Sequence, residues 1–285
     1  MRSIRTERTG TRIGALIGAA LLAVATLASA PARADTVMIT GANSGIGLEF
    51  AKEYAAQGWS LIVTHRRPDT PAALADLAAK YPGKVRIEHL DVTSLEEVHA
   101  LAGKLAGVPI DVLINNAGVY NSRKHCVADD AECPGDWNVE SFGHLDYGLL
   151  DTIMAVNIKG PLLVSEAFYP NVKASTRKKL VAISSSNGSL TGEPQPRPGA
   201  IFYRLSKAAL NREMQLVAAQ TKADGVTVLM LNPGPTLTEH QEYLASMKGM
   251  LKTDFTVSNM IRTIGNATLA DTGRFLRYDG RTEPW

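Results

Sequence analysis

Short apolar runs alternate with amphipathic helical stretches, a glycine turn joins the first strand to the first helix, and small polar residues close several strands. Together these predict a doubly wound α/β fold, with about seven parallel strands flanked by helices on both faces. The 285 residues suffice for one such domain.

Val37, Met38 and Ile39 carry the first strand, and Thr40-Gly41-Ala42-Asn43-Ser44-Gly45-Ile46-Gly47 follows it. Leu48, Phe50, Ala51, Tyr54 and Ala55 then recur at helical spacing until Gly58 stops them. Strand, glycine turn and helix bring backbone N–H groups and the positive end of a helix dipole to one point, which is how a pyrophosphate is held. Gly41 permits the sharp exit, Gly45 clears space where phosphates approach, and Gly47 lets the helix pack closely. Asn43, Ser44 and Ile46 complete this candidate cradle. A glycine turn without a ligand is the plain alternative.

Ser60–His65 reads as a second strand and residues 71–80 as an Ala-rich helix stopped by Tyr81-Pro82-Gly83. Residues 85–90 form a third strand, leading to Asp91-Val92-Thr93. Ser94 with Glu97 three residues on predicts a capping box for the next helix. Residues 110–114 form a fourth strand ending in Asn115-Asn116-Ala117-Gly118. Residues 119–145 are polar, hold both cysteines and break the rhythm as a long loop. A helix over 149–167 and a strand over 178–183 follow, the latter ending in Ser184-Ser185-Ser186. After a Gly/Pro-rich loop at 192–199 come a helix over 203–220 and a strand over 226–231, then Asn232-Pro233-Gly234-Pro235. A helix over 255–267 and a strand over 273–278 complete a single domain, 35–285.

The net charge is +2, but residues 1–34 carry five Arg and one Glu, leaving −2 for the rest. That is no electrostatic footprint for nucleic acid. Arg2, Arg5, Arg8 and Arg12 precede an uncharged run over 13–27, and Ala32-Arg33-Ala34 fits a small-x-small cleavage site. Residues 1–34 are expected to direct export, periplasmic or secreted, with cleavage near Ala34. An uncleaved membrane anchor and a mis-assigned start, which leaves a cytoplasmic chain, are the alternatives. The segment has no Arg-Arg pair for a twin-arginine signal. In an exported chain Cys126 and Cys133 read as a small loop disulfide. Free thiols are one alternative. A metal set with His125 and His144 is another, but its spacing matches no common zinc pattern, and no metal is expected.

Tyr203 and Lys207 stand at i and i+4, on one face of a helix. A free phenol titrates near about 10, and a nearby cation favours the phenolate. Lowering that value by about three units is worth roughly 4 kcal/mol and makes the phenol an acid/base at neutral pH. A serine hydrolase is excluded because no Gly-x-Ser-x-Gly elbow is present.

Thr40-Gly41-x-x-x-Gly45-Ile46-Gly47, Asn115-Asn116-Ala117-Gly118, Ile183-Ser184-Ser185, Tyr203-x-x-x-Lys207 and Asn232-Pro233-Gly234 occur in one order over 35–285. In this the chain resembles the short-chain dehydrogenase/reductase family, with its Rossmann-type sheet. The run from Tyr203 to Asn211 and the ending from Gly273 to Trp285 resemble its C-factor-like branch. The resemblance implies an oxidoreductase that interconverts a carbonyl and an alcohol by hydride transfer, with Tyr203 as general acid/base. Lys207 would depress the Tyr203 pKa and bind the nicotinamide ribose. Ser185 would hydrogen-bond the substrate oxygen, with Ser184 and Ser186 as substitutes. Asn157 would support a proton relay to Lys207, or hold backbone geometry from the same position. Eighteen residues separate Ser185 from Tyr203, more than the family's usual spacing, and the loop at 192–199 can absorb the excess.

Cofactor contacts implied by the resemblance are Asp91 and Val92 at adenine, Asn115, Ala117 and Gly118 along the fourth strand end, Pro233 and Gly234 after the sixth, and Thr238 at the carboxamide. Pro235 and Thr236 stand where many relatives carry bulkier residues. The second strand ends in Thr64-His65-Arg66-Arg67, with no acid before Asp69. An acid there would accept a ribose 2′-OH, whereas an arginine pairs with a 2′-phosphate. NADP is therefore favoured over NAD, through Arg66, although Ser44 is neutral where many NADP-dependent relatives are basic. A solvated Arg66-Arg67 turn is the alternative. The resemblance implies a small-molecule substrate and a homo-oligomer, with Tyr120 and Tyr243 as candidate pocket walls. A cofactor-binding signalling or sensor protein with little turnover is the second functional reading.

Overall fold

The computed structural model describes residues 34–120, 140–191, 200–239, 245–246 and 248–285. The export segment up to residue 33, Cys126, Cys133, the loop at 192–199 and Tyr243 lie outside the described residues.

Strands β1 (Thr36–Ile39), β2 (Ser60–His65), β3 (Val85–His89), β4 (Val112–Asn115), β5 (Lys179–Ile183) and β6 (Thr227–Asn232) alternate with helices. Two short strands, β7 (Thr236–Leu237) and β8 (Leu251–Lys252), pair with each other, and β9 (Arg274–Arg277) ends the chain's order. The main sheet runs β3-β2-β1-β4-β5-β6-β9, parallel throughout. The helices are α1 (Gly45–Ala56), α2 (Ala72–Lys80), α3 (Leu95–Lys104), α4 (Tyr147–Met154), α5 (Gly160–Lys173), α6 (Ile201–Thr221) and α7 (Thr253–Asn266).

Strand alternation sorts the core into two layers. Val37 and Ile39 face Phe50 and Tyr54 of α1, Leu74 of α2 and Met260 of α7. Met38 and Leu113 face Val98 of α3, Phe168 of α5 and Met214 of α6. Phe50 and Tyr54 are almost wholly buried, each worth roughly 2–3 kcal/mol of apolar burial. Asp111 ties the lower sheet edge, accepting from the Thr36 amide at 2.9 Å and from the Thr176 and Arg177 amides at 3.2 Å each.

The strand order reverses between β1 and β4, and it is beyond the carboxyl ends at such a reversal that open α/β sheets bind ligands.

Several expectations are corrected. Ile110 lies before β4, its amide bonded to the Asn171 carbonyl at 3.1 Å. The capping box of α3 is only half made. Ser94 accepts from the Glu97 amide at 3.2 Å, but the Glu97 carboxylate takes the Asp91 amide at 2.8 Å instead of closing on Ser94. The helix expected over 149–167 runs from Tyr147 to Lys173 and is interrupted by a π-turn over Ala155–Lys159. Such a turn has one residue too many for a regular helix and re-aims the side chains it carries; here one of them is Asn157. Among the described residues no helix is long and apolar enough to cross a membrane.

Candidate active site

The β1–α1 turn and the β4 end are built as one unit. Thr40 Oγ1 accepts from the Asn116 and Ala117 amides, each at 3.0 Å. Asn116 Nδ2 donates to the Thr40 and Gly41 carbonyls at 2.9 and 3.0 Å. Gly41 has φ +63°, and a Cβ there would stand 2.9 Å from the Ala117 Cα. A Cβ on Gly47 would fall 2.4 Å from both the Gly41 carbonyl oxygen and Asn116 Nδ2. Gly47 thus closes the turn against its own backbone, a tighter demand than the helix-to-sheet approach expected of it. Asn116, which the motif reading passes over, is the clamp.

The first intrahelical bond of α1 is from the Leu48 amide to the Ser44 carbonyl at 3.1 Å, so Gly45, Ile46 and Gly47 present the amides that precede the ladder. Ser44 makes no side-chain cap, its hydroxyl lying 3.4 Å from Asn43 Nδ2. The Gly45 amide instead donates to Glu239 Oε1 at 2.6 Å. A carboxylate oxygen therefore sits where a phosphate oxygen would, and the cradle suits an anion. Thr238 faces the same turn, its Cγ2 3.5 Å from the place a Gly45 Cβ would take.

Asn115 departs from expectation. Its side chain, 3% exposed, donates to Ser165 Oγ of α5 at 2.9 Å, because strand alternation turns it toward the helix layer. Asp91 Oδ1 accepts from the Thr93 amide and hydroxyl, both at 2.8 Å. Burial raises the Asp91 carboxyl, but those bonds, with Arg66 and His89 nearby, hold it below the usual range. Val92 is buried against Gly160 at the start of α5. Arg66 is exposed at the end of β2, beside Asp91. His65 behind it is buried, and its pKa is lowered by burial and by His89.

Helix α6 brings the chemistry together. The Tyr203 phenol faces the Ser185 hydroxyl, which favours its ionised form, and that hydroxyl also accepts from the Asn187 amide at 3.2 Å. Of the neighbouring serines, Ser184 is buried and donates to Asn211 Oδ1 at 2.6 Å, and Ser186 is exposed in the short turn that follows. Gly188 lets that turn lie on α6, since a Cβ there would stand 2.7 Å from the Lys207 carbonyl carbon. Lys207 is buried, and its ammonium donates to the Ile183 carbonyl at 2.8 Å and lies 5.7 Å from the Tyr203 ring centre. Tyr120 packs edge-on against the Tyr203 ring at 4.5 Å.

Asn157, wholly buried, accepts from the Val119 amide at 2.8 Å and donates to the Val119 carbonyl at 2.8 Å and Ser206 Oγ at 3.0 Å. Ser206 in turn donates to the Tyr203 carbonyl at 2.7 Å. The Asn157 amide thus has its acceptor and both donors engaged by protein groups, and its side chain holds the site's backbone.

Pro233 and Gly234 turn the chain after β6. Gly234 has φ +72°, and its amide donates to Asn232 Oδ1 at 2.9 Å. Thr236 then donates to the Pro233 carbonyl at 2.9 Å and opens β7, which fixes the loop shape after Pro235.

The pKa pattern reverses one expectation. Burial pushes the Tyr203 phenol above its ordinary range, Ser185 opposing and Tyr120 reinforcing. Lys207 is not among the groups that lower it, and burial lowers the ammonium itself to about 8. The phenol is held protonated and can act as a proton donor.

The short chain dehydrogenase family profile matches residues 35–249. The chain is 29% identical over 253 residues to the 1-hydroxy-2-glutathionyl-2-methyl-3-butene dehydrogenase of Rhodococcus sp. (strain AD45), covering 88% of this chain and 100% of the relative. It is 29% identical over 188 residues to the C-signal of Myxococcus xanthus, 66% of this chain and 100% of the relative. Among solved structures it superposes on an NADPH-bound carbonyl reductase from chicken fatty liver with a TM-score of 0.77 at 28% identity, covering 89% and 100% of the two chains.

Proposed function

The chain belongs to the short-chain dehydrogenase family, and from that premise we propose that it is an NADP-preferring carbonyl reductase or alcohol dehydrogenase acting on a small molecule. The observation that carries this reading is the convergence of Ser185, Tyr203 and Lys207 beside a turn whose amide already holds an anionic oxygen. The residues fit a dinucleotide. The Gly45, Ile46 and Gly47 amides would take the pyrophosphate, Thr238 and Lys207 would flank the nicotinamide end, and Arg66 would meet a 2′-phosphate. When bound, the cofactor supplies or accepts the hydride. Ser185 orients the carbonyl oxygen, and the protonated Tyr203 hydroxyl gives that oxygen its proton. Lys207, its ammonium 5.7 Å from the Tyr203 ring centre, would bind the nicotinamide ribose and keep positive charge in the site below about pH 8. Arg66, the lack of an acid before Asp69, and likeness to an NADPH-bound structure support NADP over NAD.

The substitution Tyr203→Phe should abolish turnover on a carbonyl and alcohol panel while leaving NADPH binding intact; undiminished turnover would sink the assignment. Likeness to the C-signal supports a second reading, a sensor with little turnover, which cofactor binding without activity across the panel would favour. We also propose that 1–34 is a cleaved export segment and that 35–285 is the working domain. An intact Met1 on a cytosolic chain, found by N-terminal sequencing, would overturn that. Homo-oligomerisation is proposed as well. It is supported by exposed Leu162 on α5 and Leu205 and Leu216 on α6, and sedimentation would test it.

A further inference from the structure

The helix that carries Tyr203 begins without a cap of its own. Its N-cap position is Ala200, in the left-handed region at φ 66°, and no side chain there bonds the first turn. Tyr203 is only the third residue of the helix. The orphan amides of a helix start need an acceptor, and a carboxylate there also meets the positive end of the dipole. Glu140 supplies it from 63 residues away, its Oε2 accepting from the Tyr203 amide at 3.3 Å while the Phe202 amide also faces the carboxylate. Its residue exposure is 1%, and among the described residues its Oε1 has no partner. A buried carboxylate with an unsatisfied oxygen is costly, so its retention asks for a reason.

Two further contacts define that reason. Phe202 is buried with Leu149 and Ile153 of α4, an apolar pin on the same turn. At the other end of the residue, the Tyr203 carbonyl accepts from Ser206, which Asn157 holds. Among the described residues, the Tyr203 backbone is therefore fixed at its carbonyl by Asn157 through Ser206, and at its amide by Glu140.

We propose that Glu140 is a positioning residue for the reaction, fixing the phenol of Tyr203 against Ser185 by capping the first turn of α6. This rests on the oxidoreductase reading above. Glu140→Ala frees the first turn, whereas Glu140→Gln keeps a side-chain acceptor. Each variant is compared with the parent by amide hydrogen exchange over residues 200–205, by NADPH titration, and by kcat and KM with NADPH and an aromatic aldehyde. Glu140→Ala should expose the Phe202 and Tyr203 amides to fast exchange and lower kcat about tenfold or more, with NADPH affinity unchanged. Glu140→Gln should restore protection and most of kcat. Unchanged exchange or kcat in Glu140→Ala would overturn the proposal. So would a Glu140→Gln as impaired as Glu140→Ala, or a loss of NADPH affinity in step with kcat. If the parent protein turns over nothing, the oxidoreductase reading fails, and amide exchange alone decides whether Glu140 holds the turn.

Discussion

Removal of the Glu239 carboxylate should strengthen cofactor binding. Glu239 Oε1 lies 2.6 Å from the Gly45 nitrogen, on the amide a pyrophosphate oxygen would use. The cofactor must displace it, losing one charge-assisted bond before gaining its own. Such bonds are worth about 1.5–3 kcal/mol when sheltered, and this one is solvent-exposed, so about 1 kcal/mol remains. Leaving the carboxylate nearby adds repulsion of similar size, about 1 kcal/mol at roughly 4 Å in water. Glu239→Ala should therefore tighten NADPH about 5–30-fold, and Glu239→Gln less, since its amide oxygen can still accept. Calorimetric titration at low and high salt measures this, and the gain should shrink as salt screens the repulsion. Weaker NADPH binding by Glu239→Ala would refute the reasoning, because Glu239 would then support the cofactor instead of competing with it.

Other outcomes follow from the same geometry. Ser184→Ala should cost about 1–2 kcal/mol in denaturant unfolding by stranding buried Asn211, with turnover largely kept, whereas Ser185→Ala, which loses only a part-buried bond to the Asn187 amide, should cost less stability and cut turnover. Equal effects of the two would undo the distinction between these serines. Gly47→Ala should cost about 1–3 kcal/mol and weaken the cofactor, since its Cβ would meet backbone at 2.4 Å; an unshifted Tm would contradict the clamp described for this turn. For pH, Lys207 carries charge below about 8 and loses it above, while Tyr203, with its raised pKa, stays protonated. The kcat/KM for carbonyl reduction should thus fall as pH rises through about 8, and a flat profile from about pH 7 to about pH 10 would count against a role for the ammonium.

The sheet was legible because its signals are local. Each strand is a short apolar run, and each functional residue sits at a strand end or one helical turn from another. Ser185, Tyr203 and Lys207 meet as their motifs imply. Proximity in sequence says nothing about solvent, and so the i, i+4 pair suggested a lowered phenol where burial raises it. Two adjacent asparagines look alike in a motif. The strand's alternation sends Asn115 to Ser165, and the strand's end leaves Asn116 to clamp the glycine turn. The π-turn that carries Asn157 has no composition of its own to mark it in the sequence. Glu140 and Glu239 were invisible for another reason: each caps a helix from a distant segment, with no residue pattern linking it to its partner.

Calorimetric titration of the folded chain with NADPH and with NADH is the most direct measurement of all. Saturable heat with NADPH, weaker with NADH and diminished in Arg66→Ala, is the expected result. Folded protein that gives no heat with either coenzyme would mean that the switch point between β1 and β4 holds no dinucleotide.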